Sequence, residues 1–450
     1  MGSLSEIKLG SVRRMIQAAS DRAIRDLEAA LSAGAERHDG MRMIQRMVVA
    51  EAQDRRASSL TFAPVSAVCR PRPESPSSVV FPHAVLSHLW RGLRERHPAE
   101  VQHIVLAISR QDADPPTADQ LNALCVSAAS GLRSRSSAAF QTAAELLERV
   151  SPTAVDIFAD YLELTPVARA AVERLPEWVG RQTDERVAAA RLAFRDAGVV
   201  CEDGGLKLLD LLYSHLDEPW KVLRLISAVM NRPADGYVAN SEFAPVGERL
   251  LDEVESRVTG ARRFELDGGF EAGQAAGRSV RVAAQEMAEF DTSLDLAHNG
   301  PWGSRIARQK KALAEAVDSR LKSLDEVLAH ALPVHSSPGS KRSNSGPPNL
   351  SHDPDPLQVA RAMAMLGFLQ EVRSAAERLG CMSLWTRVAD EARMRLDAYA
   401  DELIRNLRHM EEDDDPVRIR KFLEISAQML AIVADERTAQ LVRRRMAVAA

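Results

Sequence analysis

The densest charge in the chain is the run of five acids Glu411 to Asp415, inside the stretch HMEEDDDPVRIRKF. Adjacent carboxylates invite a divalent cation, but a calcium loop needs oxygen ligands at alternating positions around a glycine turn, and contiguous acids before a proline do not supply that pattern. The expected role is therefore a solvated turn between helices. Asp415 is placed to cap the next helix with Pro416 at its first position, while the other acids face the positive helix end and can pair with Arg418, Arg420 and Lys421.

His83, His88, His97 and His103 are the other metal candidates. Two imidazoles on one helical face want a separation of three or four, whereas the gaps here are five, nine and six, so no zinc site is expected. The segment LDGGFEAGQAAG carries Gly268, Gly269, Gly273 and Gly277, yet its spacing matches neither phosphate-cradling glycine motif and no Lys follows it. Gly269, Gly273 and Gly277 recur every four residues beside Ala272 and Ala276, which predicts a helix face that a neighbouring backbone can approach closely. There is no G-x-S-x-G elbow, although triads assembled in space leave no local trace. Asp217 and Glu218 precede Pro219 and read as charges at a helix N-terminus. No cofactor is expected.

Bulk composition narrows the partners. With 58 basic against 63 acidic residues and a net charge of -5, no whole-protein field draws the chain to DNA, RNA or an anionic bilayer. Only 4% of the residues are aromatic, which also disfavours base stacking, and nucleic acid is not an expected partner. Cys69, Cys125, Cys201 and Cys381 lie far apart and read as free thiols of a reducing compartment. MGSLSEIKLGSVRR lacks the apolar core of a signal peptide, and Glu6 stands where an acylation signal at Gly2 wants Ser or Thr. No stretch reaches the ~18 apolar residues of a membrane span. The expectation is a cytoplasmic protein with no transmembrane segment and, at most, weak membrane-surface contact through residues 4–32.

The elements that must position any site read as helices throughout. Apolar residues at three-four spacing predict one helix over 4–32 and another over about 41–57, an N-terminal hairpin within 1–57. Residues 58–80, with Pro64, Pro71, Pro73 and Pro76, read as a linker or draped loop. Residues 81–235 read as a domain of six to eight short helices, with Leu208, Leu211, Leu212, Leu216, Trp220, Leu223, Ile226 and Val229 as core; no repeat length marks a solenoid. Within it, Ser151 and Pro152 are expected as cap and first position of a helix.

Residues 236–332 predict a long coiled-coil-like hairpin of helices 270–297 and 303–332, about 40 Å long at 1.5 Å per residue. Residues 333–355, rich in Ser, Pro and Gly, read as a flexible linker. Residues 356–450 predict a three-helix bundle, with Trp385, Val388, Ala392, Leu396, Tyr399, Leu403 and Leu407 on one stripe. The expectation is thus an all-α, elongated multi-helix protein: a short-helix region, a long antiparallel helical hairpin and a C-terminal three-helix bundle.

Its expected function is that of a non-catalytic helical scaffold or adaptor, binding a protein partner or itself. The seam residues Val280, Met287, Phe290, Leu294, Leu313, Val317 and Leu324 are its candidate interaction surface. The alternative is an enzyme with a pocket between helices of residues 81–235, or a peripheral membrane-associated protein.

Overall fold

In a computed structural model of the chain, the described residues are 6–32, 39–71, 80–109, 114–230, 233–335, 346–410 and 415–449. Among them there are 22 α-helices and no strand, only two isolated bridges, so the protein is all-α. No described helix is long and apolar enough to cross a membrane. Packing divides the chain into two compact units, Met1–Asn231 and Arg232–Ala450, rather than into six segments.

The first unit opens with α1 (Glu6–Ala18), α2 (Asp21–Ser32) and α3 (Asp39–Thr61). The single helix expected over 4–32 is two helices, because Ser20 stops one and caps the next: its hydroxyl accepts from the N–H of Ala23 and its carbonyl from that of Ile24. The carbonyls left over at the end of α1 are satisfied across the hairpin. Arg55 donates to the carbonyls of Ile16, Gln17 and Ala19 at 3.3, 3.2 and 2.9 Å. Below this, Ile16, Ile24, Val48 and Ala52 form a small core of their own.

Residues 58–69 correct the expected linker. They continue α3 and then form α4 (Ala63–Ser66) and a 3-10 turn, and Phe62, Val65, Ala67, Val68 and Cys69 are all buried. Pro64 lies in the first turn of α4, where its missing N–H costs nothing, so the proline that suggested a break starts an element instead. Arg169 fastens this segment by donating to the carbonyls of Leu60 and Thr61 at 3.0 and 2.8 Å and to Asn122 Oδ1 at 2.8 Å. Pro73 and Pro76 lie outside the described residues.

The rest of the unit is α5 (Ala84–Arg96), α6 (Pro98–Ser109), α7 (Ala118–Ser134), α8 (Ala138–Glu148), α9 (Ala154–Glu163), α10 (Thr165–Trp178), α11 (Asp184–Val200), α12 (Gly204–His215) and α13 (Val222–Val229). Helix α9 starts after Thr153, two residues later than the Ser151–Pro152 start expected, because residues 151–153 form a turn in which the Ser151 carbonyl accepts from Ala154. Of the eight expected core residues, Leu208 through Ile226 are buried and Val229 is half-buried.

The second unit holds α14 (Asp235–Val238), α15 (Ala244–Arg263), α16 (Gly269–Ser293), α17 (Pro301–Ala331), α18 (Pro356–Glu371), α19 (Arg373–Arg378), α20 (Met382–Arg408), α21 (Pro416–Val433) and α22 (Glu436–Ala449). Helix α17 begins at Pro301, two residues before the start expected at 303, and its capping group comes from a distance. Buried Asp235 accepts from the N–H groups of Trp302 and Gly303, each at 3.0 Å.

Helix α16 lies most intimately against α18, not against α17. A methyl group on Gly273 would stand 1.9 Å from the carbonyl oxygen of Ala364, and one on Gly367 would stand 2.6 Å from that of Phe270, so the two backbones touch where both helices lack side chains. The close face read from the glycine spacing is present at Gly273 and Gly277, whereas Gly269 has open space around it. Its partner is a helix from the segment expected to form a separate C-terminal bundle, which thus shares its core with residues 236–332.

The segment 333–355 is anchored at both ends. His335 donates to the carbonyl of Pro347 and Asn349 to that of Pro333, both at 2.9 Å, and Arg418 and Lys421 of α21 hold Asp353 at 3.2 and 2.8 Å. Asp415 caps α21 as expected, accepting from Val417 and Arg418. The acids Glu411 to Asp414 lie outside the described residues. Helices α21 and α22 are parted at Ala434, and Asp435 accepts from Thr438 N at 2.7 Å to start α22.

Candidate functional site

The seven seam residues are all buried inside the second unit. Val280, Met287 and Phe290 on α16, Leu294 just after it, and Leu313, Val317 and Leu324 on α17 are each at most 5% exposed. Phe290 meets Trp302 edge-to-face at 5.9 Å, and α15, α18 and α20 cover what a partner chain would have covered. The stripe is core rather than a docking face, because three-four periodicity marks a buried helix face without saying whose residues bury it.

A site with exposed chemistry lies in the first unit, between α6 and α7. Helix α5 ends at His97, whose N–H donates to the carbonyl of Leu93 at 2.7 Å; Pro98 at once starts α6, and the His97 carbonyl accepts from Val101 at 3.1 Å. The histidine is thus gripped by two helices at their junction. Helix α7 is fixed by a capping box in which Gln120 N donates to Thr117 Oγ1 and Thr117 N donates to Gln120 Oε1, at 3.3 and 2.9 Å.

Between them is a half-open cavity of about 480 Å³. Buried Ile104 and Leu124 form its floor, Ala99 and Ala123 leave the space, and His97, Glu100, His103, Gln120 and Ser127 supply polar groups. His97 Nε2 lies 2.6 Å from Ser127 Oγ, and His97 Nδ1 lies 4.0 Å from Glu100 Oε1. The volume is in the range of small-ligand sites, which combine apolar walls with a few placed polar groups.

Of the four histidines considered for metal binding, His97 and His103 share this groove; His83 stands at the start of α5 and half-buried His88 on it. Among the described residues no three His, Cys, Asp or Glu side chains converge in a way that could hold a metal ion. The buried cysteines are poor nucleophiles: burial pushes the Cys69 thiol up to about 12 and that of Cys125 up to about 11.

A smaller cavity of about 170 Å³ lies between α17 and α20, with Leu321, Leu324 and Val388 inside and Lys322, Asp325, Arg387 and Glu391 around it. It is the seam left where two long helices cross. Sequence reasoning missed Ser127, Glu100 and Gln120 as site residues. The one available signal was the His97–Pro98 dipeptide, since a histidine directly before a helix-starting proline has its backbone fixed. No protein-family model, curated protein or solved structure matches the chain.

Proposed function

We propose that the protein is a helical adaptor that receives an apolar side chain of a protein partner in the α6–α7 groove. One observation supports this reading above others: the groove is open to solvent, floored by Ile104 and Leu124 and bordered by polar groups, which is the arrangement of an anchor pocket at a protein interface. The seam residues can no longer serve that role.

The test is affinity capture from cell extract with the full-length protein and with Ala123→Arg, which fills the groove from an exposed position of α7. Partner recovery is expected to fall about tenfold or more, the scale of losing one anchor residue. A protein that sediments as a compact monomer and captures no stable partner, or whose partner is indifferent to Ala123→Arg, defeats the reading. Deletion of residues 356–450 is a poor test, since it strips α18 from α16.

A second reading, an enzyme whose pocket lies between helices of residues 81–235, draws on a different observation in the same groove, the short contact of Ser127 with His97.

A further inference from the structure

We propose that Ser127 is an activated nucleophile and that the α6–α7 groove hydrolyses carboxylic esters with a short apolar acyl group. This rests on the second reading and is separable from the adaptor reading.

The placement of Ser127 is not what a helical serine does by default. A serine within a helix commonly returns its hydroxyl to the carbonyl four residues back. Ser109, Ser134, Ser214 and Ser426 all do so here, to Val105, Ser130, Asp210 and Phe422. The Ser127 hydroxyl meets an imidazole nitrogen at 2.6 Å. A serine hydroxyl becomes a useful nucleophile when a base lies in hydrogen-bond reach and a third group orients that base. Glu100 Oε1 lies 4.0 Å from Nδ1, too far for a hydrogen bond, so it acts on the imidazole by charge alone, which favours a proton on Nδ1 and leaves the Nε2 lone pair facing Ser127. Main-chain bonds on both sides fix the His97 backbone, and the contact with Ser127 engages its ring.

The groove accounts for the substrate class. Ala99, Ile104, Ala123 and Leu124 surround space for a short hydrocarbon, and among the described residues no Lys or Arg lines it to favour an anionic substrate. The first turn of α6 forms part of the wall and brings the positive end of that helix to the groove in which the oxyanion forms.

In the first half-reaction Ser127 Oγ bonds to the ester carbonyl carbon while His97 Nε2 takes the hydroxyl proton. The tetrahedral adduct collapses, the C–O bond to the alcohol breaks, and His97 returns the proton to the departing oxygen. Water then attacks the acyl-serine with His97 again as base, releasing the carboxylic acid and restoring Ser127. The sum is ester plus water giving acid plus alcohol.

The experiment uses the full chain with a fluorophosphonate probe, peptide mapping by mass spectrometry, and p-nitrophenyl butyrate turnover. A label on Ser127 is expected, lost in Ser127→Ala, with His97→Gln lowering the labelling rate about 100-fold or more, the usual scale of a general base. Glu100→Gln, at a positioning residue, is expected to lower kcat about tenfold with KM little changed. Circular dichroism melts of all three variants should match the parent, and Glu100, being exposed, provides a variant that leaves packing untouched. No label, a label on another residue, or wild-type turnover in Ser127→Ala overturns the proposal. If partner capture meanwhile still depends on Ala123, the adaptor reading stands alone.

Discussion

Two helix pairs in this protein both have small residues at their interface, and they use them in opposite ways. Where α16 crosses α18, Gly273, Gly277 and Gly367 let the backbones meet and no space remains. Between α6 and α7, Ala99 and Ala123 stand at a pair that is not drawn together, and the space becomes a lined cavity of about 480 Å³. A small side chain allows close approach but does not cause it. What decides is whether the surrounding helices press the pair together, as α15 and α17 do around α16 and α18, whereas α6 and α7 make few contacts with each other and leave the groove open.

Breaking the first pair should have the largest effect. Gly273→Ala places a methyl carbon 1.9 Å from the Ala364 carbonyl oxygen, which only a shift of α18 can relieve. A loss of about 3 kcal/mol is expected from urea unfolding, the upper range of overpacking costs, even though alanine is the better helix former. An unchanged midpoint would mean that the helices do not touch as described.

Arg169→Met comes next. It leaves the Leu60 carbonyl and Asn122 Oδ1 without this donor and the Thr61 carbonyl with only the Cys125 thiol, and a loss of about 2 kcal/mol is expected. Proteolysis that now cuts near residues 60–70 would locate the weakening in the first unit. The smallest stability effect belongs to the second pair: Ala123→Arg, at an exposed position over an existing space, should change stability by no more than about 0.5 kcal/mol. A protein as destabilised as Gly273→Ala would show that the groove is packing, and would erase the contrast.

Much of the fold was legible in the sequence because three-four periodicity and helix caps act locally. Asp415 before Pro416, the core residues from Leu208 to Ile226, and the α16 glycine face all follow from spacing alone. What was not legible is pairing over distance. The seam of Val280, Met287 and Phe290 fitted a hairpin with α17, but the glycines on the same helix fitted α18 better, and backbone proximity won. Residues 58–69 looked like linker because prolines outweighed Phe62, Val65 and Val68, whose burial depends on Arg169 about a hundred positions away. The groove was hidden for the same reason. His97 and Ser127 are 30 positions apart and on different helices, so no local pattern joins them.

His335 pairs with Pro347 and Asn349 with Pro333, so the residues that follow α17 and those that precede α18 lie side by side. Continuity of the chain between those points is therefore not what holds α17 and α18 in register. A gene split between codons 336 and 345 would encode two pieces, one ending after α17 and one starting before α18. Each would carry one face of the glycine crossing, which makes the second unit a natural candidate for fragment complementation.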